Sequence, residues 1–486
     1  MAHLQAGRWA EGVERLRAAL ALDPAFAEIW SNLAFALRQL GRTEEAHAAA
    51  ARAVALKPSL PDAWNLLGLA EQDLAHFEEA TLHFRRAIEL RPNFAAAWMN
   101  LANCDQALGH IHDAVSRYGR ALQLDPRHPE LHYNLGHLHH KGTGDYAQAI
   151  AHYRDAIALY PDYGTAHHNL SHVLFLLGRF EEAWPEYAWR PPRVAHLAAL
   201  AQHGRAYLLP AADALAGKRL AIAGEQGLGD TLFFLRYAPL VRARGATLDF
   251  AGDPRLHGML ARTGHFSRLA ASAADLEDAD SAGPRGASRG ATVLAGDLPL
   301  LAPEAQSVAS VPPPLALTPE PSRLAAIREK LRALGPPPYV AVAWRAGEPK
   351  TGLLETLFKE VPLDVLAEAL REIPGTVVSV QRAPRAGEAE ELAKKLGRPV
   401  HDLSETNRDL EDALALMASV DELVGVSNTN VHLRAGCFIT PAPDPGSPGQ
   451  ARTARVFVPP PYEWRWMATG PSPWFPGSAV HRLKRD

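Results

Sequence analysis

Over the first 190 residues the apolar positions fall into a repeating pattern of helix pairs. Prolines recur at Pro24, Pro58, Pro92, Pro126 and Pro161, 34 residues apart three times and then 35. Each closes a similar helix end: "ALDP", "ALKP", "ELRP", "QLDP" and "ALYP". A large residue opens the helix that follows: Trp30, Trp64, Trp98, His132 and His167. A small residue lies in each second helix: Ala46, Ala80, Ala114, Ala149 and Ala183. Small residues let paired helices approach, bulky ones fill the gap to the next pair, and proline, lacking an N–H, ends the second helix. The fifth unit carries its extra residue at "KGTGDY", in the expected turn between helices. The first unit shows that turn and its second helix but only a stub of a first helix, which predicts an exposed apolar edge at residues 4–20.

Beyond a connector at 191–217 the pattern changes to short apolar runs separated by amphipathic stretches. "KRLAIAG" (218–224) is a strand, "TLFFLRYAPLVRARG" a helix ending at Gly245, and "ATLDFAG" a second strand. Strand, helix, strand within such a span predicts a parallel βαβ unit. A stretch poor in bulky apolar residues, 271–292, reads as a mobile loop, and "VPPPLALTPEPSR" crosses to a second lobe. There the strands are "PYVAVAW" (338–344), "GTVVSVQ" (375–381), "DELVGVS" (421–427) and "ARVFVP" (454–459), with helices between them. Four segments follow: repeats at 1–190, connector at 191–217, one Rossmann-like lobe at 218–310 and another at 311–486, closed by a C-terminal clamp.

Composition narrows the function classes. The chain has 486 residues, 47% of them apolar and 21% charged, as expected of a water-soluble globular protein. Its net charge of −4 offers no basic field for nucleic acid. No apolar run is long enough to span a bilayer, no signal-peptide pattern is present, and two distant cysteines, Cys104 and Cys437, suit a reducing compartment. A cytoplasmic location is the expectation.

The array resembles the tetratricopeptide repeat (TPR), whose period is 34 residues. Each first helix also carries an asparagine just after its large residue: Asn32, Asn100, Asn134 and Asn169, with Asn65 one place early beside Leu66. A row of amides can hydrogen-bond the backbone of an extended peptide. The protein O-GlcNAc transferases, which the array resembles, use such a ladder for that purpose; asparagine is also simply common at this place in these repeats. The histidines His132, His137, His139, His140, His167, His168 and His172 lie on several helix faces, without cysteine or carboxylate partners at ligand spacing, and read as packing residues. "EYAWR", with Glu186, Tyr187, Trp189 and Arg190, reads as a docking surface for the next domain.

The motif order "GEQGLGDTLFFLRY" (224–237), "VAVAWRAGEP", "VVSVQ", "DLEDALALMASVDELVGVSNTNVHLRAG" and "EWRWMATGPSPWFPG" resembles the bacterial TPR glycosyltransferases, with a heptosyltransferase-like catalytic half. The resemblance covers nearly the whole chain. It implies an all-α TPR superhelix followed by an α/β, GT-B-type pair of Rossmann-like lobes. It further implies a nucleotide-sugar donor as substrate without a separate cofactor, and transfer to a protein or peptide acceptor in the TPR groove, inverting and metal-independent. The alternative is a TPR adaptor with a degenerate transferase half.

Candidate site residues fall in three groups. In the glycine loop, Gly227 and Gly229 leave room for close approach. Asp230 is either a helix cap or, as the resemblance implies, the base that deprotonates the acceptor hydroxyl, with Glu225 as second choice. Ser427, Asn428, Thr429, Asn430 and His432 open a helix whose free N–H groups could hold a diphosphate, or form a cap cluster without a ligand. The related transferases carry an acidic residue where Asn428 stands. Arg345 and Lys350 are either phosphate-neutralising cations or ordinary surface residues. No Asp-x-Asp pair stands at a strand end; "DADSAG" (278–283) lies in the low-complexity loop. Trp464, Trp466 and Trp474 either stack on a base or sugar or clamp the lobes.

Overall fold

A computed structural model describes residues 2–225, 227–276, 291–347, 359–437 and 454–483. These divide into two units, one up to Ala166 and one from His167 onward.

The first unit is a stack of antiparallel helix pairs, beginning with a single helix Ala2–Leu22 and ending with Tyr146–Leu159 and the start of the next helix. The turn expected inside the first helix is absent. Gly7 is helical there, a local cost of about 1 kcal/mol that packing further along the helix can offset. Val13 and Leu20 are buried in one cluster with Leu33 and Leu37 of the helix Ala27–Gln39, and Trp9 and Leu16 pack against it, so the apolar edge expected at residues 4–20 is covered at these positions; Leu22, just beyond it, is exposed. The small residues behave as their spacing requires. Ala46, Ala80, Ala114 and Ala149 are fully buried. A Cβ on Gly68 would stand 2.7 Å from the Phe84 ring, and one on Gly136 2.8 Å from the Tyr153 ring. The large residues brace the turns before them: the indole N–H groups of Trp30, Trp64 and Trp98 donate to the carbonyls of Pro24, Pro58 and Pro92. Each inter-helix turn needs one left-handed residue, supplied by Gly41, Gly109 and Gly144, but by Ala75 in the third unit. The extra residue of the fifth unit is absorbed as a π-helical turn at Leu138–Thr143, at the end of the first helix rather than in the loop.

The second unit begins with the last helix pair, Gly164–Leu176 and Phe180–Tyr187, and so starts before the boundary at 190 that the repeat pattern suggests. The reason is aromatic packing. Phe175 stacks on Trp464 at 4.6 Å between ring centroids, Phe180 stacks on Trp474 at 4.7 Å, and both partners belong to the C-terminal segment. The connector contains a helix, Pro191–Gln202.

Four parallel strands form the first sheet: β1 (Arg219–Ala223), β2 (Thr247–Ala251), β3 (Leu269–Ala270) and β4 (Ala291–Leu294), in the order β3-β2-β1-β4. The stretch read as one helix after β1 is two, Leu228–Leu235 and Ala238–Ala243, divided just before Pro239. The 271–292 loop lies largely outside the described residues; its end forms part of β4. In the other lobe β5 (Tyr339–Ala343) is followed by a two-stranded antiparallel ribbon, β6 (Arg345–Ala346) and β7 (Lys359–Glu360). The main sheet continues with β8 (Thr376–Ser379), β9 (Val400–Asp402), β10 (Glu422–Val426), β11 (Ala454–Val458) and β12 (Ser478–Arg482). All its pairings are parallel, in the order β12-β11-β10-β5-β8-β9. Counted from β5, this is the doubly wound order 3-2-1-4-5-6 read from the β9 edge, whose direction of progression reverses between β5 and β10. The corresponding reversal in the first sheet lies between β1 and β4. In open parallel sheets, ligands bind beyond the carboxyl ends of the strands at that point. Candidate segments 224–230, 344–345 and 427–432 all leave strands that border a reversal.

Candidate functional site

Just after β1 the chain is fixed by a buried ion network. Glu225 accepts from Arg190 Nε at 3.0 Å and Nη2 at 2.8 Å, and from the Gly296 N–H at 2.5 Å. Arg190 Nη1 also donates to Asp297 at 2.7 Å, where Arg193 and Tyr207 converge. Glu225 is thus an anchor tying the β1 and β4 exits to the end of the repeats, with both oxygens engaged; it does not stand free as a base. The "EYAWR" segment does dock, through Arg190 and through a buried Tyr187.

Asp230 lies in the first turn of Leu228–Leu235, whose N-cap is Gly227, so it is not the cap residue. Its Oδ1 accepts from Arg465 Nη2 at 2.5 Å. Arg465 Nη1 donates to Glu463 at 2.9 Å, and Glu463 accepts from Lys359 Nζ at 2.5 Å. Lys359 Nζ is 3.5 Å from the Ser427 carbonyl. Four alternating charges therefore run from the start of one helix to the start of another. Burial pushes the Glu463 carboxyl up, but Lys359 and Arg465 outweigh it and hold it well below the usual carboxylate range. Arg465 is pinned by stacking over Phe233 at 4.6 Å and Trp464 at 4.5 Å.

The second helix start is Thr429–Cys437. Asn428 Oδ1 accepts from the Asn430 N–H at 2.9 Å, an N-cap bond that satisfies one free donor. Asn430 donates to Asn407 at 3.2 Å and is buried. His432 is buried against Phe233 and Phe475, and burial, with Arg465 next, holds its imidazole well below the ordinary value, hence neutral. The two helix starts touch. A Cβ on Gly229 would meet His432 Cδ2 at 3.1 Å and Thr429 Cα at 3.7 Å, so this glycine admits the facing helix rather than a ligand. Gly227 is exposed, and among the described residues a Cβ there would have only Asp230 Oδ2 within 4 Å, at 3.7 Å.

Arg345 stands apart from this chain of charges. Its guanidinium binds Glu388 at 2.5 and 3.0 Å and lies 3.6 Å from Glu360, so its charge is committed to structure. Lys350 lies outside the described residues, as does "DADSAG". Among the described residues, Lys359 and Arg465 are cations that stand near Ser427 and Asp230. The sequence signal for Arg465 was its position between two tryptophans, where an arginine is buried along with its neighbours. Trp464, Trp466 and Trp474 are buried as a clamp: Arg236, itself fully buried, donates to the Trp474 carbonyl at 2.9 Å.

The asparagines do not form one open row. Asn100 donates to Asn65 Oδ1 at 3.0 Å, and both are buried between consecutive repeats. Asn32 is exposed, and Asn134 and Asn169 are half-buried. A separate groove of about 600 Å³ opens in the first repeats, lined by Arg17, Leu20, Trp30, Leu37, Glu45 and Arg52.

Models of the tetratricopeptide repeat match residues 3–70 and 142–183, 93–162, and 61–94, so the N-terminal part is a TPR array. The chain is similar to protein FlbA of Caulobacter vibrioides, 30% identical over 291 residues that cover 55% of this chain and 46% of that one; it spans less than half of that relative's length. Among solved structures it is similar to YrrB, a TPR protein described as having an unusual peptide-binding site (19% identity, 39% of this chain, 99% of that chain, TM-score 0.33). It is also similar to a thermophilic TPR protein of Thermus thermophilus (22% identity, 36% of this chain, 96% of that chain, TM-score 0.30). No helix among the described residues is long and apolar enough to cross a membrane.

Proposed function

We propose that this protein is a glycosyltransferase of GT-B type that moves a sugar from a nucleotide-activated donor to a hydroxyl of a protein bound by its repeats. The observation that supports the reading best is the meeting of two helix starts, Leu228–Leu235 and Thr429–Cys437, each following a strand at the reversal point of a parallel sheet. Asp230 Oδ1 is oriented by Arg465, while Oδ2 lies toward exposed Gly227. In the proposed reaction Oδ2 takes the proton of the acceptor hydroxyl. The oxygen forms a bond to the anomeric carbon as the bond to the nucleoside diphosphate breaks on the opposite face, with inversion. The departing diphosphate is received by N–H groups of the first turn at Thr429, with Lys359 and Arg465 supplying positive charge.

A panel of nucleotide sugars, followed by thermal denaturation of the full chain, tests donor binding: at least one donor raises Tm. Asp230→Asn then leaves that shift in place and lowers transfer by about 10²–10⁴-fold. Full transfer by this variant rules out the base. A second reading, an adaptor with an inactive transferase half, is favoured by one observation: Asp230, Arg465, Glu463 and Lys359 are already paired with one another. Absence of a Tm shift with every donor would decide for it.

A further inference from the structure

We propose that His132, His152 and Asp155 of the fifth repeat bind one divalent cation of zinc type. The site lies in the repeat array and is independent of the transferase reading.

Three observations carry this. The first is distance. His132 Nδ1 is 3.4 Å from His152 Nδ1 and 3.5 Å from Asp155 Oδ2, and one ligand atom from each residue lies within 4.8 Å of the other two. Zinc bonds of about 2.0–2.2 Å at the tetrahedral angle place neighbouring ligand atoms about 3.3–3.5 Å apart. Two of the three separations already have that value, and a rotation of Asp155, which is exposed, closes the third.

The second is orientation. His132 Nε2 is 3.3 Å from the Pro126 carbonyl, an acceptor only, which turns Nδ1 toward His152 and Asp155. This is the bond that Trp30, Trp64 and Trp98 make to the preceding prolines. The packing role expected of His132 is therefore real, and it also supplies the outer hydrogen bond that a metal-binding imidazole uses to fix its orientation. The His139 ring stacks on that of His152 at 5.8 Å and holds its orientation.

The third is comparison among the repeats. The positions equivalent to His132, His152 and Asp155 are Trp30, Ala49 and Arg52 in the second unit, Trp64, His83 and Arg86 in the third, and Trp98, Arg117 and Arg120 in the fourth. Three units carry tryptophan and arginine where the fifth carries histidine and aspartate. A solvated helix face has no need of that double change, whereas a two-histidine, one-carboxylate set is a recurring zinc donor set with an open fourth position. Another carboxylate–histidine cluster among the described residues of the array, Asp105, His110 and Asp113, already holds the Arg117 guanidinium against Asp105.

The test is titration of the tag-free full chain with ZnCl₂ by calorimetry, alongside His132→Trp and Asp155→Arg. Both variants install the residue the neighbouring repeats use, so the fold is retained, which circular dichroism checks. One Zn²⁺ binds the parent chain with low-micromolar or tighter affinity, and each variant weakens it at least about tenfold. Co²⁺ in the parent gives the visible absorption of a four-coordinate ion and loses it in both variants. Equal binding by parent and variants, or no saturable site in the parent, overturns the proposal.

Discussion

Replacing Arg190 by methionine probes the junction on which the second unit is built. The Arg190 side chain is wholly buried, and the Glu225 and Asp297 side chains are 4% and 0% exposed. In Arg190→Met, Glu225 loses two of its three described hydrogen bonds and keeps only the Gly296 N–H. Asp297 keeps Arg193 and Tyr207. The stranded charge is therefore mainly that of Glu225. Breaking a buried pair from one side costs about 3–5 kcal/mol. With a urea dependence of about 3 kcal/mol per molar, the midpoint falls by about 1–1.7 M. The reporter is tryptophan emission: Trp184, Trp344, Trp466 and Trp474 of this unit are at most 1% exposed and shift to longer wavelength on unfolding. Adding Glu225→Gln to the methionine variant removes the stranded charge and recovers at least about 1 kcal/mol, a non-additivity that only coupled residues show. A loss under about 1 kcal/mol for Arg190→Met, or no recovery in the double variant, refutes the account of Glu225 as an anchor.

Two further predictions concern the repeats. Asn100→Ala strands the buried Asn65 amide and costs about 1–3 kcal/mol in urea unfolding followed by circular dichroism, while Asn32→Ala, at an exposed position, changes stability by less than about 0.5 kcal/mol. Ala75→Gly relieves the left-handed backbone that Gly41 and Gly109 adopt without strain, and raises stability by about 1 kcal/mol in the same assay.

The repeats were legible because one packing problem is solved several times at a fixed period, so each bulky or small residue is seen repeatedly in the same role. The strands Tyr339–Ala343 and Glu422–Val426 were legible because burial on both faces leaves a continuous apolar run. Short or partly polar strands were not: β3 has two residues, and β12, "SAVHR", has no such run. The charges at the centre were the least legible. Loop chemistry marked Asp230 and Ser427, but Arg345 and Glu225 looked equally available until their partners, Glu388 and Arg190, were visible in space. Lys359 sits on a two-residue strand with no local motif, and Arg465 acts on Asp230 across 235 residues of chain.

That last distance explains why the final helix pair belongs with the α/β unit. Arg465 can orient Asp230 only if the segment carrying it is rigid, and a segment as short of regular structure as "MATGPSPWFPG", with three prolines and two glycines, is not rigid by itself. Rigidity is supplied from outside. Trp464 rests on Phe175, Trp474 rests on Phe180, and the Ala468 N–H donates to the Leu176 carbonyl at 2.9 Å. All three supports come from the last repeat, whose Trp184 and Tyr187 complete the aromatic face. Arg190, at the end of the same repeat, fixes the β1 exit through Glu225, from which the chain runs directly to Gly227 and Asp230. The last repeat therefore holds both sides of the Asp230–Arg465 pair, one through aromatic stacking and one through a buried ion bridge. It does so largely with positions that the array already makes aromatic: Tyr187 stands where Phe84, Tyr118 and Tyr153 are buried in the preceding repeats, and Phe180 where Phe77 and Tyr146 stand, so a repeat turned toward the C-terminal segment can support it without a new kind of face.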